Sequence, residues 1–203
     1  ETKNSGKGQV IDAAMTDGLS LLMTMMYSMH QSGFWNLERQ TNLLDGAAHF
    51  YDTYECIDGK YISIGSIEPQ FYSLLCEIAE LSEEDFGDQM KRDTWADKKK
   101  LIRDVFLTKT RDDWCSLMEG TDVCFAPVLD MSEAPNHPHN VARQTFIELE
   151  GVTQPAPAPR FDRTENEIQL PPAIAGEHSK EILETLGMNQ DEVDDLLASG
   201  SVV

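Results

Sequence analysis

The sequence of 203 residues contains no run of about 18 apolar residues, so we expect no membrane span. It is also poor in basic residues, because 16 Lys and Arg stand against 36 Asp and Glu, for a net charge of −20. Binding to nucleic acid or to an anionic bilayer depends on Lys and Arg that neutralise phosphate charge. We therefore expect neither as a partner, and we interpret the acidic excess as a solvated surface.

Cysteine is scarce. The four cysteines, Cys56, Cys76, Cys115 and Cys124, form no C-x-x-C pair. Each lies in an apolar-rich segment, which is typical of a buried free thiol. Free thiols fit a reducing compartment, so we expect a cytoplasmic protein.

Several sequence motifs that mark known chemistry are absent: G-x-G-x-x-G, the P-loop, H-E-x-x-H and G-x-S-x-G. His137 and His139 are spaced like a metal pair, but no acidic or Cys partner lies nearby at ligand spacing, so we expect no metal site. The basic run 98–103 could meet a phosphate, and a solvated helix face is the favoured interpretation.

The most informative segment is residues 46–75. Aromatic and β-branched residues at 50–56 and 61–67 favour two strands, and Asp58-Gly59 between them is a strong hairpin signal. Pro69 suits the first position of a following helix. Glu68 lies at this junction, where a stiff backbone can hold its carboxylate. The structural alternative is a charge that the helix dipole favours.

The remaining segments predict alternating elements around this centre. We expect a strand at Gln9–Ala13, a buried Met-rich helix at 14–30 that ends near Gly33, and a linker at 34–45. We then expect a helix at 95–107 with Thr94 as its cap. A second helix should start with a capping box formed by Thr110 and Asp113.

The C-terminal third continues this pattern. Residues 123–129 predict a strand that Pro127 restricts to an edge or a bulge. Residues 155–160 predict an extended Pro-rich connector, and a final pair of helices ends at Gly187 and Gly200. The fold class is therefore α/β.

Nine strings resemble the family III CoA-transferase (CaiB/BaiF) group, and most closely its α-methylacyl-CoA racemase branch. They are GKGQVIDA at 6–13, NLLDG at 42–46, FYDTY at 50–54, DGKY at 58–61, IEPQFY at 67–72, GTDVC at 120–124, PVL at 127–129, GEH at 176–178 and IL at 182–183. Their order and spacing cover nearly the whole chain. Individually these strings are ordinary, and together they are fairly specific.

The resemblance implies a subunit with a large Rossmann-like domain and a small α+β domain, paired with a second subunit in an interlocked homodimer. Residues 1–45 would be a strand–helix remnant of the large domain with a linker. Residues 46–150 would form the small α+β domain with its hairpin and helices. Residues 151–203 would be the Pro-rich connector and C-terminal helices that return to the large domain.

The resemblance also implies a reaction. An acyl-CoA racemase interconverts (2R)- and (2S)-2-methylacyl-CoA, in fatty acid metabolism, by α-proton exchange through an enolate. The CoA thioester is the substrate, and we expect no bound cofactor. The catalytic His and Asp of the family would lie upstream of residue 1, so we expect a fragment that is inactive alone. The matching site residue here is Glu68, as an accessory group beside the catalytic His of the partner subunit.

Two alternatives stay open. The parent protein could be a CoA transferase of the same family, which moves CoA between carboxylic acids. The chain itself could be a non-catalytic oligomerisation module.

Overall fold

The computed structural model describes residues 2–164, 166–168 and 170–202. The chain forms two compact units, residues 1–128 and residues 129–203. Helices and small antiparallel sheets give a mixed α/β fold, as predicted. The assignment of residues 1–45 and 151–203 to a large domain stays a prediction.

The first unit contains a three-stranded antiparallel sheet in the order β1 (Tyr51–Glu55), β2 (Tyr61–Gly65) and β3 (Phe125–Val128). Tyr54 lies opposite Ile62 in the β1–β2 pairing, as the predicted hairpin requires. Gly59 adopts a positive φ of 74° in the turn, a conformation that glycine reaches without steric cost. The predicted strand at 123–129 is confirmed as an edge strand, and it contains Pro127.

The first unit also contains helices. They are α1 (Thr2–Ser5), α2 (Met15–Leu22), α3 (Thr24–Gln31), α4 (Pro69–Ile78), α5 (Glu83–Phe86), α6 (Trp95–Phe106) and α7 (Arg111–Met118), with a 3₁₀ turn at Arg92–Thr94. The core contains residues from the sheet and from α4, α6 and α7. In it the ring of Phe106 lies 5.2 Å from that of Tyr54 and 5.1 Å from that of Trp114. Burial of these large rings supplies much of the apolar contact that stabilises the unit.

The strand predicted at Gln9–Ala13 does not form among the described residues. Residues 9–13 pair with no strand among the described residues, and Val10 and Ile11 are 96% and 79% exposed. A strand needs a neighbour to satisfy its backbone donors and acceptors, and local β propensity cannot supply one.

The predicted helix at 14–30 forms, but as two helices, and its predicted burial is wrong. The break is at Met23, with φ −81° and ψ 2° between α2 and α3. Neither helix has a buried residue, and Met15 and Leu22 are 85% and 80% exposed. The apolar period predicted the helices, whereas burial also needs a partner surface. Gly33 follows the end of α3 with a φ of 77°, as predicted.

Two further details correct the sequence interpretation. Thr94 occupies the N-cap position of α6, but its hydroxyl donates to the Lys91 carbonyl at 2.8 Å and does not cap the helix. All four cysteines are free, yet Cys124 is exposed and only Cys56 is fully buried. The capping box of Thr110 and Asp113 is confirmed at α7.

The second unit carries short elements: α8 (Pro138–Ala142), β4 (Phe146–Leu149), β5 (Val152–Pro155), α9 (Ser179–Thr185) and α10 (Gln190–Ala198), with a 3₁₀ turn at Ala134–Asn136. The β4–β5 hairpin was not predicted, although Glu150-Gly151 supplies its turn with two positive φ angles. Pro155 belongs to β5, so the connector begins one residue later than predicted. The final helix pair is confirmed.

Candidate functional site

Glu68 lies where β2 passes into α4. β2 ends at Gly65, and α4 begins at Pro69, so Glu68 is the N-cap residue, with φ −72° and ψ 143°. Its carboxylate is exposed and accepts no hydrogen bond from the helix. The structure therefore places Glu68 at the helix start, as predicted, with its side chain available to a partner.

The backbone before Glu68 is tied to the core. Ser66 is fully buried, its N–H donates to the Phe50 carbonyl at 3.0 Å, and its hydroxyl donates to the Val123 carbonyl at 2.6 Å. The Tyr72 N–H donates to the Glu68 carbonyl at 3.0 Å as the first turn of α4 closes. These bonds join the junction to the residue before β1, to the chain before β3 and to α4. They hold the backbone from which the Glu68 side chain projects.

Cys124 lies on the segment that enters β3, where its thiol is affected by the negative charge of Glu68. Burial raises the pKa of the Cys124 thiol, and the negative charges of Glu68 and Asp122 raise it further. The thiol therefore stays protonated at neutral pH and is a poor nucleophile.

A groove of about 500 Å³ lies beside this junction, over the outer face of the sheet. Tyr51, Ser63, Gly65 and Cys124 contribute to its lining. A Cβ added at Gly65 would lie 3.6 Å from the Tyr51 ring, so the absent side chain leaves the groove open beside the ring. Glu68 is not part of the lining.

The basic run on α6 is only partly solvated, which corrects the sequence interpretation for two of its residues. Lys98 is 5% exposed and donates to the Asp88 carbonyl at 2.7 Å. Lys99 is half-buried, pairs with Asp52 and donates to the Gly46 carbonyl. Lys100 is exposed and pairs with Asp97, as a solvated face requires. Lys98 and Lys99 therefore bind partners in other segments of the first unit and do not belong to a solvated helix face.

His49 is a buried polar residue that the sequence interpretation missed. It is fully buried, and its Nε2 lies 2.7 Å from the Tyr72 hydroxyl, which donates to the Phe86 carbonyl at 2.9 Å. The Tyr72 hydroxyl donates its one hydrogen to the Phe86 carbonyl, so in the bond between His49 and Tyr72 the donor is the His49 Nε2–H. The buried Nδ1 of His49 has no hydrogen-bond partner. Burial, with a smaller effect of the Lys98 charge, lowers the pKa of His49 to about 3. No local sequence pattern marks this role.

Metal binding finds no support in the part of the chain that the structure describes, where no group of three or more His, Cys, Asp or Glu could hold an ion. His137 instead caps α8, where its Nδ1 accepts from the His139 N–H at 3.3 Å. Within the same described ranges, no helix combines the length and apolarity that a membrane crossing requires.

The sequence of this chain is similar to those of known proteins. Alpha-methylacyl-CoA racemase of Mus musculus is 40% identical over 196 residues, which are 95% of this chain and 51% of that protein. The protein of the same name from Homo sapiens is 41% identical over 192 residues, 93% of this chain and 50% of that protein. The chain spans about half the length of the curated relatives it matches.

A solved structure supports the fold. The crystal structure of a CAIB/BAIF family protein from Brucella suis superimposes with a TM-score of 0.67 at 20% identity, over 91% of this chain and 50% of that one. A family model described as CoA-transferase family III matches residues 1–179. Because that match spans most of the sequence, the chain belongs to CoA-transferase family III.

Proposed function

We propose that this chain is part of an acyl-CoA racemase that interconverts (2R)- and (2S)-2-methylacyl-CoA by α-proton exchange. The observation that carries the proposal is the exposed Glu68 carboxylate on its rigid junction, in a chain 40% identical to a protein named as such a racemase. The substrate is the CoA thioester, and the reaction needs no bound cofactor.

Glu68 acts on a catalytic imidazole. Abstraction of a proton next to a thioester needs a base, and a group that stabilises the enolate oxygen. A carboxylate that accepts a hydrogen bond from an imidazole fixes its tautomer and raises its basicity. Glu68 serves this purpose in a homodimer in which the partner subunit supplies the imidazole. It is not itself the base.

The test is deuterium incorporation at C2 of a 2-methylacyl-CoA in D₂O, with the full-length product of the reading frame that encodes this chain. Glu68→Gln should keep the fold and lower kcat for exchange by roughly tenfold or more, because an amide polarises the imidazole less than a carboxylate. Glu77→Gln is the matched control, since Glu77 is an exposed carboxylate near the other end of α4. Equal exchange rates in both variants would leave Glu68 as a helix-start charge.

A CoA transferase is the second candidate, because the family description itself names that reaction. The same preparation, given an acyl-CoA and a second carboxylic acid, should then produce the new thioester. Mass spectrometry of the CoA products would show it. Transfer without deuterium incorporation would establish the transferase and exclude the racemase.

A non-catalytic oligomerisation module is the third candidate. The specific observation is the exposed apolar surface of α2 and α3, which includes Met15, Leu19 and Leu22. The 203 residues should then self-associate in analytical ultracentrifugation and catalyse neither reaction. Racemisation by these residues alone would exclude a purely structural role.

A further inference from the structure

One buried side chain binds both carbonyl groups that precede Glu68. Gln89 is 9% exposed, and its Nε2 donates to the Ser66 carbonyl at 2.9 Å and to the Ile67 carbonyl at 2.9 Å. A primary amide has two N–H hydrogens, so these two bonds use its full donor capacity. The two peptide groups directly before the Glu68 Cα are thereby held by one residue, which lies more than twenty positions away in sequence.

Gln89 is itself fixed from α6. The Trp95 indole Nε1–H donates to the Gln89 backbone carbonyl at 2.8 Å, and the Lys98 ammonium donates to the carbonyl of Asp88, one residue earlier. Trp95 is 2% exposed and packs edge-on against Phe50, with ring centroids 5.7 Å apart. The Gln89 amide, which binds the carbonyls before Glu68, is therefore anchored in the core. It has little freedom to move together with residues 66–68.

The junction has few other ways to satisfy these carbonyls. Ser66 is fully buried, so water cannot replace the amide without a local opening, and an unpaired buried carbonyl is costly. The side chain of Glu68 makes no hydrogen bond or ion pair within the described residues that could orient it independently. The direction of its Cα–Cβ bond is therefore set by the backbone that Gln89 holds.

We infer that Gln89 is a positioning residue for Glu68: by binding the Ser66 and Ile67 carbonyls it fixes the backbone of residues 66–68 and thereby the direction in which the Glu68 side chain leaves the surface. This inference rests on the proposed role of Glu68 in α-proton exchange. Gln89 touches no substrate, and it acts only through the backbone of the junction.

The variant Gln89→Met keeps the length of the side chain and removes both donors. In the full-length protein, kcat for exchange should fall by up to the factor seen for Glu68→Gln, roughly tenfold, with little change in KM, because misplacing a group near the reacting atoms affects the transition state most. Thr110→Ala is the matched control, because it weakens the same unit at the start of α7, far along the chain from the junction. It should leave kcat unchanged.

A double-mutant cycle separates positioning from general damage. If Gln89 acts through Glu68, then Gln89→Met should have no further effect on kcat in a Glu68→Gln background. Multiplicative effects would overturn the inference while leaving the role of Glu68 intact. If Glu68→Gln alone has no effect on kcat, the proposed role of Glu68 is refuted. Amide hydrogen exchange then decides separately whether Gln89 holds the backbone at residues 66 and 67.

Amide hydrogen exchange tests the backbone claim without any activity. In Gln89→Met, exchange of the Ser66 and Ile67 amides should accelerate by roughly tenfold or more relative to Thr110→Ala, because the two carbonyl anchors are lost. Equal rates in the two variants would overturn the inference. Should Gln89→Met fail to fold, Gln89→Asn retains a shorter amide, and the same comparison of rates decides.

Discussion

Acidification should destabilise this protein in part through His49, which is neutral in the folded state and gains a proton on unfolding. Its Nε2 faces the Tyr72 hydroxyl, and its Nδ1 is buried without a hydrogen-bond partner. The centroid of the imidazole ring lies 5.0 Å from that of Phe50 and 5.7 Å from that of Phe86. Protonation would place a positive charge and an unpaired N–H in this apolar cluster. The folded state therefore disfavours the charged imidazole.

The sign and size of the effect follow from the two pKa values. The ordinary pKa of 6.5 applies to His49 in the unfolded chain, and burial lowers it to about 3 in the folded state. Well above pH 6.5 the His49 imidazole is neutral in both the folded and the unfolded chain, so its titration costs no stability there. As the pH falls from 6.5 towards 3, only the unfolded state gains the proton, at about 1.4 kcal/mol per pH unit. Between about pH 7.5 and pH 5 the loss in the free energy of unfolding is about 2 kcal/mol.

Urea unfolding at a series of pH values measures this loss, with fluorescence of the buried Trp95 and Trp114 as the signal. Other groups also titrate, so the comparison is with His49→Gln, which keeps an N–H donor near Tyr72 and has no proton to gain. Wild type should lose about 2 kcal/mol more than the variant over this interval. Parallel pH profiles would refute the account of His49 as a neutral buried donor.

Two predictions concern local stability in the first unit. Thr110→Ala should lower the free energy of unfolding by about 1 kcal/mol, because the Thr110 hydroxyl accepts from the Asp113 N–H at 3.1 Å in the capping box. Ser116→Ala on the exposed side of the same helix is its control, and equal losses would contradict the cap. Ile62→Val should cost about 1 kcal/mol, because Ile62 is fully buried and the lost methylene leaves a small cavity. Both are measured by urea unfolding, and a loss near zero for Ile62→Val would contradict tight packing there.

Several elements were predictable because their signals are local. The hairpin follows from Asp58-Gly59 and its flanking strands, the start of α4 from Pro69, and the start of α7 from Thr110 and Asp113. In each case the decisive interaction joins residues only a few positions apart. The place of Glu68 at a helix start follows from the same local chemistry, whereas its part in a reaction stays a proposal.

Burial was predictable only in part. The apolar period at 14–30 predicted helices correctly, yet α2 and α3 are exposed, because a period shows which face could be buried and not whether a partner covers it. The reverse error occurred at Lys98, whose sequence neighbours indicated a solvated face. Its carbonyl partner on Asp88 lies on the loop before α6, so its burial depends on how that loop folds back.

The sequence by itself determined the α/β class, the hairpin, the main helix starts and the membership in CoA-transferase family III. Only the tertiary structure decided that Gln89 holds the carbonyls before Glu68 and that His49 is a buried neutral donor. The physical reason is separation along the chain. These contacts join residues more than twenty positions apart, and hydrogen-bonding capacity in a sequence does not specify which distant group will satisfy it.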